Sequence, residues 1–438
     1  MKIEPVRKSK WGRVGKVALF VGTVLLCLAG IAYSRTDLSA AAGSYDKNRD
    51  AAKEMGLCIT GQEAAKLYEV QAEGNGAHLL EDLIKAIEPH SSLRLTLSKY
   101  NEVQVLDAWR DINPHIPTLK IALAKRHLIF QRTFPRPIDS NRGLRPLFEL
   151  VRLMVFRADI AAKKNDCKLA GDLLRLAANL SIHLADEPCL NALELRASAA
   201  MVIEAEIKRL IPQQIHDLIW QNVFAETLAA LDHPYEVRRV LQVEHWTWLW
   251  AGQILLGDTT VGTLKDMGWK KEERKPDITL AGGFIPRFRA ANLSRFHQYY
   301  VEVIGNLPKD PHDFVGITNS MTKAYSAIDY SDTALSYSYL RHSIMSFVGL
   351  PCCIHLVDSI GDETTQRNVL FQALSISRER AADHKGLPLT GRYVQDFGGR
   401  TLGFDQTRDE WIVYSVGRNG MDEHTKRYSD DFIVRLPK

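Results

Sequence analysis

Three carboxylates near the C-terminus, Asp422, Asp430 and Asp431, share a short stretch with Gly417 and Gly420. A hard cation such as calcium takes about six to eight oxygen ligands, often from a loop that mixes carboxylates with backbone carbonyls. Asp422, Asp430 and Asp431 are therefore candidate calcium ligands, with the glycines letting carbonyls turn inward. The plainer reading is a hairpin loop of solvated acids. Other residues invite chemistry with less support. Ser320-Met321-Thr322-Lys323 has the spacing in which a serine attacks and a lysine handles its proton. Two fixed positions in four arise easily by chance, so an ordinary helix start is expected. Cys352-Cys353-Ile354-His355 carries soft ligands but lacks the spaced second pair of a structural zinc site, so apolar packing is expected. Asp310-Pro311-His312-Asp313 reads as a turn and helix cap. Trp246, Trp248 and Trp250 spread around a helix rather than lining one face, so some of them pack inward. The fourteen histidines show no ligand spacing. No motif names a reaction, and whether the chain is an enzyme stays open.

The charge distribution says more about place than about chemistry. Residues 1–16 hold six bases and one acid, whereas the remaining residues hold 50 bases and 51 acids. The body is thus balanced, which argues against a nucleic-acid partner. Val17 to Tyr33 is an uncharged run of 17 residues. As a helix it would span roughly 26 Å, near the lower limit for a bilayer. The bases before it should stay cytoplasmic, leaving the body outside. Expected from this are a cytoplasmic segment 1–16, a transmembrane anchor 17–33 in contact with lipid, and an extracytoplasmic body able to meet other envelope proteins. The alternative is a cleaved signal, with Gly30 and Ala32 as the small residues before the cut, and a secreted product.

The fold class expected is mainly α, with an N-terminal transmembrane helix, an irregular antiparallel helical array and a small C-terminal β lobe. Residues 34–59 read as a tether and 60–256 as a helical domain. Its clearest helices are a stripe from Leu147 to about Lys163 with Pro146 in its first turn, and Leu169–Leu184, capped by Asp166 and stopped by Pro188. A third carries Leu193, Ala197, Ala200, Met201 and Ile207, with Glu204 and Lys208 as an i,i+4 ion pair. Further helices are expected over 215–231 and 235–256. Glycines and a charged run make 257–290 a long loop. Residues 291–386 form a second helical region, with helices over 291–304, 313–328, 333–347 and 364–384. Of the six cysteines, Cys167 and Cys189 bracket one helix and so should not pair.

Residues 387–438 form the β lobe. Asp396-Phe397-Gly398-Gly399 is a turn, and 402–404 and 411–414 are paired strands. Then follow Tyr414-Ser415-Val416-Gly417-Arg418-Asn419-Gly420-Met421-Asp422 and Asp430-Asp431-Phe432-Ile433. This order resembles the tail of type II secretion major pseudopilins, which has an Asp-Pro-Trp-Gly turn, an aromatic strand and a Tyr-Ser-x-Gly-x-Asp-Gly loop that binds calcium. Here Phe397 replaces the proline and Asn419 the loop aspartate. No prepilin-type Gly followed by Phe-Thr-x-x-Glu precedes the anchor, which argues against a processed pilus subunit. The chain as a whole is similar to membrane-anchored bacterial proteins that join a helical body to such a tail. That resemblance brings no activity with it. The function expected is a membrane-anchored extracytoplasmic binding or scaffolding protein; the alternative is an exported hydrolase with a site assembled from distant residues.

Overall fold

The computed structural model describes residues 43–69, 72–91, 100–130, 143–255, 286–310, 316–317, 319–320, 344–381, 395–396, 400–416 and 432–437. The chain is mainly helical and carries a three-stranded antiparallel sheet at its C-terminal end. Its helices are α1 (Tyr45–Glu54), α2 (Gly61–Tyr68), α3 (Glu81–Ile87), α4 (Glu102–Ile112), α5 (Ile116–Leu123), α6 (Leu144–Lys163), α7 (Cys167–Leu184), α8 (Leu190–Gln214), α9 (Leu218–Leu231), α10 (Val237–Leu255), α11 (Pro286–Asn306) and α12 (Ile344–Ala381). Strands β1 (Gly403–Gln406), β2 (Glu410–Tyr414) and β3 (Ile433–Pro437) lie in that order across the sheet.

The central hairpins follow the sequence closely. Asp166 caps α7 by accepting from the Leu169 amide at 3.0 Å. Between α6 and α7, Asn165 takes φ 58°, a left-handed conformation that asparagine tolerates better than most residues. Gly171 permits the tight crossing of α7 on α9, because a Cβ there would sit 2.8 Å from Val223. In the sheet, Gly403 lies opposite Tyr414, whose ring covers the glycine so closely that a Cβ would come within 2.2 Å of it.

Several expectations need correction. The segment 34–59 is not a tether throughout. Residues 45–54 form α1, which docks on α11 through Asn48 and Ser294 (2.9 Å), and Ala52, Leu57 and Cys58 are buried. The loop expected over 257–290 gives way to helix at Pro286. The breaks expected near 347 and 364 are absent: α12 runs unbroken through Gly349, Pro351 and Gly361. The Glu204–Lys208 pair does not form, because Glu204 is fully buried and turned toward α12. The anchor 17–33 lies outside the described residues. Among the described residues no helix is long and apolar enough to cross a membrane.

Packing does not divide the helices at 257–290. One core joins α3 to α9 with the C-terminal half of α12 and with Leu402, Val413, Val434 and Leu436 of the β lobe. A second core joins α1, α2, α10 and α11. Two helices serve both. Helix α8 gives Ala192 and Ala200 to the first core and Leu193 and Ala197 to the second. Helix α12 gives Leu370 and Ala373 to the first and Ile360 to the second.

Candidate functional site

Where the shared helices meet, the interior turns polar. Helix α8 brings Arg196 and Glu204, α12 brings Glu363 and Arg367, and the link between α9 and α10 brings Asp232, His233 and Tyr235. Arg196, Glu204, Glu363, Arg367 and Tyr235 are no more than 2 % exposed. Arg367 clasps Glu363, one helical turn back on α12, donates to the Leu231 carbonyl at 3.2 Å, and lies 3.7 Å from Asp232. Arg196 donates to the carbonyls of His233 and of Pro234 (2.9 Å), with its guanidinium 3.9 Å above the Tyr235 ring. The two arginines thus hold the α9–α10 link by its carbonyls.

Glu204 is different. Neither of its carboxyl oxygens receives a hydrogen bond from a protein donor, and Glu363 on α12 is its nearest acidic influence. A carboxylate buried without a donor is costly, so the group keeps its proton. Burial first, and then the Glu363 charge, hold the Glu204 carboxyl well above its usual range, against an opposing pull from Arg367.

A second buried constellation lies in the other core. His245 Nδ1 is 2.8 Å from the Cys58 carbonyl, and its Nε2 is 2.9 Å from Nδ1 of His297. The carbonyl can only accept, so His245 carries its proton on Nδ1. Its Nε2 then accepts from His297 Nδ1–H, which leaves His297 Nε2 as a bare acceptor, buried and without a partner. Tyr45, Phe296 and Tyr300 close around the pair. Burial pushes His245 down to about 4 and His297, also repelled by His245, to about 3. Both rings are neutral across the physiological range. The pair has the chemistry of a base, sealed from solvent.

An open groove of about 530 Å³ lies between the starts of α7 and α9, lined by Asn165–Lys168, Arg175, Ile219, Asn222 and Val223. Arg175 on its wall is paired with Glu226 (2.6 Å) and Asp172 (2.8 Å). Beside it, Leu218 and Ile219 are 64 % and 62 % exposed.

Of the residues singled out by sequence, Asp422, Asp430 and Asp431 lie outside the described residues, as do Lys323, Pro311, His312 and Asp313. Among the described residues no group of three acids, histidines or cysteines is placed to hold a metal. The Ser320 hydroxyl is 2.8 Å from the Gly316 carbonyl and 2.5 Å from that of Asn306, the backbone role of an ordinary helical serine. Trp246 and Trp250 are buried and Trp248 packs against the second core, so the three make no exposed aromatic platform. Cys58, Cys167 and Cys189 form no disulfide among the described residues. Sequence reasoning missed both buried constellations. His245 and His297 are 52 positions apart and share no motif. Glu204 carried a usable signal: it sits on the buried spacing of Ala200, Ile207 and Ile211, where a carboxyl needs a partner from another helix. No family model, curated protein or solved structure matches the chain.

Proposed function

We propose that the chain is a membrane-anchored extracytoplasmic protein that binds a partner or scaffolds an assembly. The observation that carries the reading is the charge split, six bases and one acid ahead of the uncharged run Val17–Tyr33 and a balanced body behind it. Binding rather than turnover is supported by where the polar groups lie. Arg196, Glu204, Arg367, His245 and His297 are buried inside the cores, whereas the groove presents Ile219 to solvent with Leu218 exposed beside it. In this reading the anchor is the first element of the fold and the sheet belongs to a pseudopilin-like lobe. Asp422, Asp430 and Asp431 are its calcium ligands.

Fractionation with protease treatment of intact spheroplasts tests the placement. The full-length chain should sediment with membranes and its body should be cut from outside. Replacing Arg7, Lys8, Lys10, Arg13 and Lys16 by Glu should impair that orientation. Recovery of the intact wild-type chain as a soluble cytoplasmic species overturns the reading. For the calcium ligands, free calcium should raise the melting temperature of the detergent-solubilised chain, and Asp430→Ala with Asp431→Ala should abolish the rise.

A further inference from the structure

We infer that Glu204 and Glu363 form a proton-dependent latch, which holds α8 against α12 while Glu204 keeps its proton and loosens that seam when the proton leaves. Three observations lead there independently of the groove and of the anchor. Both side chains are fully buried. Glu204 has no protein donor on either oxygen and faces a second carboxyl, so the proton is its partner. The two helices that carry the acids are those that serve both cores, so the contact joins the two halves of the body.

The charges around the pair fix the direction of the response. Helix α8 contributes Arg196 and Glu204, and α12 contributes Glu363 and Arg367. The α9–α10 link contributes Asp232, His233 and Tyr235, and Asp186 acts on Arg196 from beyond α7. Burial pushes the Tyr235 phenol upward and His233 downward, so neither supplies a charge at neutral pH. With Glu204 protonated, Arg196 and Arg367 face the carboxylates of Glu363 and Asp232. Loss of the proton leaves an uncompensated negative charge where water does not reach. The folded state holds a proton that the unfolded chain releases near the ordinary carboxyl value of about 4.3. The latch is therefore intact at low pH and weakens as pH rises toward the folded value, by up to about tenfold in the opening equilibrium per pH unit. Glu204→Gln keeps the shape and supplies an amide donor to Glu363 without a titrating proton.

Hydrogen exchange of the α8 and α12 amides in the full-length chain, corrected for intrinsic rates, reads the opening directly. In the wild type, protection at the seam should fall as pH rises above the ordinary carboxyl range, by up to about tenfold per pH unit, until the folded value is passed. In Glu204→Gln it should be flat. His245 and His297 cannot mimic this, because their lowered values strengthen the fold as pH rises, the opposite sense. An equal slope in wild type and variant overturns the proposal. Should the variant not fold, infrared spectra of the wild type decide. A buried protonated carboxyl must persist above the pH at which ordinary carboxyls have ionised and disappear at alkaline pH, and its absence there overturns the latch.

Discussion

His245 and His297 show how one hydrogen-bond chain fixes protonation. The Cys58 carbonyl dictates the tautomer of the first ring, the first ring dictates that of the second, and the last nitrogen is left bare. Charging His245 at Nε2 breaks this chain, and charging His297 at Nε2 puts a buried donor where no acceptor stands. Folded values of about 4 and about 3 stand against about 6.5 in an unfolded chain. The unfolded chain therefore binds protons that the folded one refuses. Stability is full above about pH 6.5 and is lost as pH falls toward the folded values, at up to about 1.4 kcal/mol per pH unit for each ring. Glu204 acts in the opposite sense. Melting temperature against pH should rise along an acid limb set by the histidines and fall along a limb at higher pH set by Glu204. His297→Phe should make the acid limb shallower, and Glu204→Gln should remove the alkaline limb. A melting temperature that keeps its wild-type acid slope in His297→Phe would refute the sealed-pair account.

At the scale of elements, α6 and α7 were legible because each carries its own apolar stripe and its own boundary signals. Asp166 is the clearest of these, and Asp166→Ala should destabilise the chain by about 1 kcal/mol through the lost cap, read as a drop in urea midpoint. Asp166→Asn, which keeps the acceptor, should lose less. Helix α12 was not legible as one piece. Gly349, Pro351 and Gly361 are local reasons to stop, yet the helix continues through them. The buried pairs were illegible for another reason. Periodicity reports which face of a helix is inside, and it is silent about which inside face meets which. Lys208 illustrates the trap: i,i+4 from Glu204 suggests an ion pair, but the acid turns inward to α12.

For the molecule as a whole, the sheet is part of the first core rather than an appended lobe. Strand β3 packs on α8 and α12, and Leu402, Val413, Val434 and Leu436 are buried there. Each such side chain contributes about 1.5–3 kcal/mol, and the stability of a whole domain is commonly only about 5–15 kcal/mol. A chain ending at Thr401 should therefore lose its cooperative melt by circular dichroism, and a melt unchanged from the full-length chain would show the lobe to be independent. The sharing of α12 between the cores also has a consequence for biosynthesis. Helices α3 to α9 leave the ribosome well before the segment that closes their core. Contacts so distant in sequence form late and slowly. Until Ile344–Ala381 has emerged, the faces that will receive Leu370 and Ile360 stay uncovered. The nascent chain must be shielded for the time taken to synthesise everything between, and a pause or truncation in that interval leaves an aggregation-prone product.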